Sequence, residues 1–172
     1  MGISIYPPAQ GGDTWVQIAT STPTSGSVVT FSSIAQSYEK LMVKIDGQSA
    51  VFSAQVTGST FTINGVVTGY SYGMSNISGG TFAAVTTNTG IFFPRSIPAS
   101  ADITGFLEID SANSTTVKKI SGALINNTAT SWASWFDTGF SRQTAFVSSI
   151  AFTLTGATFT SGTTFTLYGV AA

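Results

Sequence analysis

The sequence predicts an all-β protein whose single domain is an antiparallel β-sandwich with a jelly-roll-like topology. Short alternating runs rich in Val, Ile, Thr, Phe and Tyr recur about every ten to fifteen residues, and helical periodicity is almost absent. Clusters of Gly, Asn, Asp and Ser between the runs supply turns. Many half-buried strands without helices fit two packed sheets, and an up-and-down barrel is the alternative.

The alternation of apolar and polar residues places twelve strands along the chain. In the third strand, Leu41, Val43 and Ile45 alternate with longer or polar residues, which predicts one buried and one wet face. In the eighth, Leu107 and Ile109 alternate with acidic residues in the same way. The predicted strands cover residues 14–20, 27–31, 40–46, 50–57, 60–65, 81–85, 90–93, 103–110, 116–125, 132–137, 147–155 and 163–170. Turn-forming residues separate them at 24–26, 46–47, 57–58, 76–80, 113–114 and 126–127.

The last two predicted strands carry the clearest pattern in the chain. Residues 147–155 place apolar side chains at alternate positions, and residues 163–170 do the same after a turn around Gly162. No charged residue follows Arg142. We therefore predict that these strands form a β-hairpin that lies at the centre of the sandwich.

Length and composition define the domain and exclude some partners. At 172 residues and 17.8 kDa the chain is long enough for one well-packed domain, which we place at residues 13–172 behind an extended arm at residues 1–12. Charged residues make up 8% of the chain, against about 25% in ordinary soluble proteins. The few Lys and Arg are scattered, and no apolar run is long enough to span a membrane. We expect neither nucleic acid nor a membrane as a partner.

Catalytic residue types are scarce, so we expect no enzyme activity and no cofactor. His and Cys are both absent, which removes the usual general base and the commonest zinc ligands. Glu108 and Asp110 lie on one face of a predicted strand, roughly 6–7 Å apart, a spacing that a glycosidase could use. Their position beside Lys118 and Lys119 favours a solvated strand face instead. The acidic residues lack the spacing of a calcium loop, so we expect no metal site.

A dense aromatic segment is the first candidate for a binding surface. Four aromatic residues lie within nine positions: Trp132, Trp135, Phe136 and Phe140. Such a segment can pack in the core, contact a protein partner or stack on a sugar together with Tyr70 and Tyr72. We assign Trp132, Trp135 and Phe140 to a candidate partner interface.

The N-terminal arm is the second candidate. It contains three large apolar residues, Ile3, Ile5 and Tyr6, followed by Pro7-Pro8, which favours an extended backbone, and by Gly11-Gly12, which permits a hinge. An arm that does not pack on its own sheet can pack on a neighbouring subunit. We assign the three apolar residues to the candidate interface, and a frayed terminus is the alternative.

Several segments resemble a family of small virion proteins of tailed bacteriophages. The strongest likeness is at residues 159–170, FTSGTTFTLYGV, which is similar to the pattern that closes the chains of this family. Residues 30–45, 61–65 and 106–113 resemble further segments of the family, in the same order. The insert at residues 92–98 matches no segment of the family.

The resemblance implies a non-enzymatic structural protein, made in the bacterial cytoplasm and located in the virion. Within that family we favour a capsid decoration, or cement, protein that binds and reinforces the shell, since the chain has no coiled-coil shaft and no repeats. The expected partners are virion proteins and other copies of the chain, as a homotrimer. The alternatives are a tail or tail-fibre subunit and a carbohydrate-binding β-sandwich module.

Overall fold

The computed structural model describes residues 14–47, 52–55, 58–76, 81–88, 90–93, 97–99, 101–128 and 132–171. This part of the chain contains twelve β-strands. In chain order they are β1 (Val16–Ser21), β2 (Val28–Phe31), β3 (Tyr38–Gly47), β4 (Gly58–Ile63), β5 (Tyr70–Asn76), β6 (Thr81–Asn88), β7 (Ile91–Phe93), β8 (Asp102–Asp110), β9 (Lys118–Asn127), β10 (Trp132–Ser141), β11 (Ile150–Thr155) and β12 (Thr163–Ala171).

The strands form two antiparallel sheets that pack as a sandwich, which confirms the predicted fold class. The large sheet has eight strands in the order β1-β12-β3-β8-β9-β10-β5-β6, and the small sheet has four in the order β2-β11-β4-β7. A jelly roll usually divides eight strands between two Greek keys. The eight-plus-four division differs from that plan, so the jelly-roll topology is not confirmed.

The core lies between the two sheets. The alternation predicted for β3 is confirmed, since Leu41, Val43 and Ile45 are all buried on its inward face. Phe152 of β11 lies 5.4 Å, between ring centroids, from Phe165 of β12, and this contact joins the small sheet to the large one. Buried residues from both sheets form one hydrophobic core.

The predicted C-terminal hairpin is wrong, although the two strands are central as expected. In the small sheet, β11 lies between β2 and β4, whereas β12 lies between β1 and β3 in the large sheet. Each strand has a single apolar face, and these faces meet across the core instead of lying side by side in one sheet. Gly156 and Gly162 have positive φ angles in the connection that passes between the sheets.

Two further strand predictions differ from the structure. The predictions missed β5, whose Ser- and Gly-containing sequence YSYGMSN is a weak strand signal. In the predicted strand 50–57, the described residues form only an isolated bridge, between Phe52 and Phe159, and residues 50–51 and 56–57 lie outside the described part. The predicted turns at 46–47 and 126–127 fall within β3 and β9, because the partner strands extend that far.

Lys118 is the main departure from the predicted strand faces. We expected it on a solvated face, but it is fully buried at the start of β9, opposite Ser141. Its Nζ atom donates hydrogen bonds to the carbonyl oxygen of Ser114 and, at 3.0 Å, to that of Thr116. The loop before β9 thus supplies acceptors to the buried ammonium group, and burial lowers the pKa of Lys118 from its ordinary value.

Close approach of β10 to β5 requires a glycine at position 139. A Cβ atom placed there would lie 2.4 Å from the carbonyl oxygen of Ser71 and 2.8 Å from the Cα atom of Tyr72. Because backbone atoms of a central strand pair cannot move aside, Gly139→Ala is expected to lower the free energy of unfolding by about 1–3 kcal/mol. Urea denaturation would measure the loss. Thr138→Ala, at the neighbouring exposed position, is the control, and equal stability of the two variants would contradict the prediction.

Candidate interaction surface

The outer face of the large sheet carries exposed apolar side chains in adjacent strands. The register pairs Phe106 of β8 with Ala123 of β9, and Ala123 with Phe136 of β10, so these residues form one row across three strands. Ile125 lies next to Ala123 on the same face of β9, and Phe140 lies further along β10. We define the outer patch as Phe106, Ile125, Phe136 and Phe140. Between 38% and 46% of each of these side chains is exposed.

Charge is distributed unevenly around the outer patch. On the side of β3, Lys44 Nζ lies 2.7 Å from Asp46 Oδ2, and this ion pair is about half exposed. Next to it on β8, Glu108 and Asp110 occupy outward positions. On the other side, the described outward positions of β10 and β5 hold no charged residue. The patch therefore has one charged flank and one uncharged flank, with Lys119 of β9 beside Phe140 at one end.

Trp135 is a core residue and not a surface contact. It lies opposite Leu124 on the inward face of β10, and it is buried. Successive residues of a strand point to opposite faces, so its neighbour Phe136 is outward and exposed. For Trp132 only the backbone is described, and it pairs with Asn127. Within the predicted aromatic segment, Phe136 and Phe140 are the described side chains that a partner can reach.

The two tyrosines expected in a sugar-stacking platform are also buried. Tyr70 and Tyr72 lie on the inward face of β5. The hydroxyl of Tyr70 accepts hydrogen bonds from the Ile63 amide, at 2.8 Å, and from Gln143 Nε2, at 2.9 Å. It donates a hydrogen bond to the carbonyl oxygen of Val66, at 3.1 Å. These bonds tie β5 to the end of β4. A platform made of Tyr70, Tyr72 and Trp135 is therefore absent from the surface.

Three members of the outer patch were missed by the predicted interface. Phe136 lies in the aromatic segment but was not assigned to the interface, and Phe106 and Ile125 come from β8 and β9, outside that segment. Strand alternation could have identified both residues as outward, since Phe106 lies on the same strand face as Glu108, and Ile125 lies on the same strand face as Lys119. The predicted interface residues Ile3, Ile5 and Tyr6 of the arm lie outside the described residues, and their assignment stays a prediction.

The pair of carboxylates has the predicted orientation on β8. Glu108 lies in register with Met42 and Ser121, and Asp110 lies in register with Lys119. Both are on the outward face of the open sheet. Within the described ranges, no three His, Cys, Asp or Glu residues are grouped so that they could hold a metal ion. The same part of the chain has no helix of the length and apolar character needed to cross a membrane.

Asp137 is a buried carboxylate that the sequence did not single out. It lies on the inward face of β10, opposite Gly122 of β9, with 2% of its surface exposed. Its Oδ1 atom has no hydrogen-bond partner. Burial raises the pKa of Asp137 to about 7, because the charged form is disfavoured away from water.

Comparison with known proteins gives little further guidance. No protein-family model matches the chain, and no curated protein matches it. A solved structure of infectious bursal disease virus, Gx strain, aligns with 94% of this chain and 39% of the viral chain, at 13% identity and a TM-score of 0.11. A TM-score this low carries no argument about fold or function.

Proposed function

We propose that this chain is a non-enzymatic structural subunit of a tailed-bacteriophage virion, a decoration protein that assembles on the capsid shell and reinforces it. The observation that carries the proposal is the outer patch, which leaves three phenylalanines and an isoleucine exposed on the face of a sheet. Monomeric proteins seldom leave a group of large apolar side chains exposed unless a partner covers it. The patch thus favours a protein that works in an assembly.

The sequence resemblance supports the virion as that assembly. Gly169, within the LYGV segment, lies on β12 where an added Cβ atom would meet the ring of Tyr38 at 2.5 Å. Tyr38 belongs to another of the segments that resemble the phage family. Two positions from separate segments are therefore in contact, as expected if the segments were retained to build one common fold.

Composition supports a permanent contact and not a catalytic one. Few charged side chains are available to repel neighbouring subunits or to raise the cost of burying the outer patch. Glu108 and Asp110 lie on the outward face of β8, in register with Ser121 and Lys119. A tail subunit would use the same surface chemistry, so the location on the particle must be measured directly.

Incorporation into particles tests the proposal. Phe136→Ser is expected to keep the melting temperature close to that of the wild type, because Phe136 is exposed, and to lower occupancy on purified virions several-fold. Val28→Ser, which removes an exposed valine from the small sheet, is the matched control and should incorporate normally. Electron microscopy of the wild-type particle would locate the subunit. Absence of the chain from purified virions would refute the proposal.

A further inference from the structure

We propose that the outer patch is the docking site for the N-terminal arm, residues 1–12, of a neighbouring copy of this chain. The inference rests on the proposed function only in taking the protein to act as an assembly of subunits. It adds which segment covers the outer patch and how one subunit binds the next.

The chemistry of the arm fits the patch. The sequence of residues 1–12, MGISIYPPAQGG, contains no charged side chain and three large apolar ones, Ile3, Ile5 and Tyr6. The patch offers Phe106, Ile125, Phe136 and Phe140 beside the uncharged flank formed by β10 and β5. Burial of these side chains against one another would bring no charged side chain of the arm into the contact.

The length of the arm is sufficient for this contact. Twelve extended residues span about 40 Å at roughly 3.3 Å each. The row from Phe106 to Phe136 crosses two strand spacings, about 10 Å. The arm can therefore leave its own sheet, cross a gap between subunits and still cover the whole row.

The position of β1 favours a neighbouring copy over the same copy. The chain enters the sheet at β1, which is an edge strand, whereas Phe136 lies on β10, five places away in the strand order. An arm that folded back would have to cross β3 and β8, and it would bury the Lys44–Asp46 pair or the carboxylates of Glu108 and Asp110. The cost of removing these charges from water disfavours that route. A neighbour's arm can instead approach over the uncharged flank.

Cysteine cross-linking provides the direct test, since the natural chain has no cysteine. One preparation carries Ile5→Cys and a second carries Ile125→Cys, and the two are mixed under mild oxidation. The expected result is a disulfide-linked dimer on a non-reducing gel that forms in the mixture and not in either preparation alone. Val28→Cys, on the small sheet, replaces Ile125→Cys in the control mixture and should give no dimer above background.

Two outcomes would overturn the inference. The first is a cross-link that forms only within one chain, in the double variant carrying both Ile5→Cys and Ile125→Cys, which would show that the arm covers its own patch. The second is no Ile5-to-Ile125 cross-link in either arrangement.

Light scattering gives an independent readout of the same contact. Deletion of residues 1–12 and Phe136→Ser should each raise the dissociation constant of the homo-oligomer by roughly tenfold or more, and the two changes together should add little. Oligomers that withstand both changes, or a wild-type protein that stays monomeric, would refute the docking.

If the arm docks but the protein is absent from virions, the proposed function fails and the docking stands. If the protein coats virions but the arm does not dock, the docking inference fails and the proposed function stands.

Discussion

Deletion of residues 163–172 is expected to leave no cooperatively folded protein. These residues form β12, which pairs with β1 on one side and with β3 on the other, so its loss divides the large sheet. It also removes the buried side chains of Phe165 and Leu167 from the core. Circular dichroism during heating should show no cooperative transition in the truncated chain. A transition near the wild-type temperature would show that β12 is dispensable.

Point substitutions in β12 separate the loss of packing from the loss of backbone. Leu167→Ala removes an inward side chain and is expected to lower the free energy of unfolding by about 2–5 kcal/mol. Thr166→Ala, on the outward face of the same strand, is the control and should change stability by less than about 0.5 kcal/mol. Similar losses in the two variants would contradict the assigned strand faces.

In the wild type, Asp137 is expected to lower the free energy of unfolding as the pH rises from about 4 to 7, and Asp137→Asn is expected to remove this loss. The pKa of Asp137 is about 7 in the folded protein, against an ordinary value of 3.8. Below pH 4 both the folded and the unfolded chain carry the proton, and the group has no effect. Between pH 4 and pH 7 the unfolded chain releases the proton more readily than the folded chain does. The free energy of unfolding therefore falls as the pH rises through this range. Above pH 7 the loss is complete, at about 4 kcal/mol.

Urea denaturation at pH 5 and pH 8 measures this difference. The gap in the free energy of unfolding between Asp137→Asn and the wild type should widen by about 3 kcal/mol from pH 5 to pH 8, in favour of the variant. Any change in packing caused by the amide is the same at both pH values and leaves the widening unaffected. Glu108→Gln, on the outward face of β8, controls for the removal of one negative charge. A gap that stays constant with pH would refute the assigned burial effect.

The sequence predicted the faces of the strands better than their partners. Alternation with a period of two identifies the side of β3 that carries Leu41, Val43 and Ile45, because that pattern is local. It carries no information on which strand lies alongside. Residues 147–155 and 163–170 therefore suggested a hairpin, although the two strands belong to different sheets. Lys118 was misplaced for a related reason, since its acceptors come from a loop whose path the pattern does not predict.

The candidate surface was predicted only in part for the same physical reason. Strand alternation separates the inward Trp135 from the outward Phe136, and it could also have marked Phe106 as outward. It could not show that Phe106 and Phe136 lie two strands apart in one row, because the register of β8 with β9 and of β9 with β10 arises from pairing over long distances in sequence. Asp137 lies two positions from Trp135 and is inward by the same alternation.

The position of β12 between β1 and β3 also bears on how the chain folds during translation. The N-terminal part of the large sheet has a gap that is filled only when a strand encoded far downstream has left the ribosome. Until then the facing edges of β1 and β3 have unpaired amide and carbonyl groups, which are templates for pairing with other nascent chains. Synthesis at high density on polysomes would therefore favour misassembly, and chaperones that shield these edges until release would raise the yield of folded subunits.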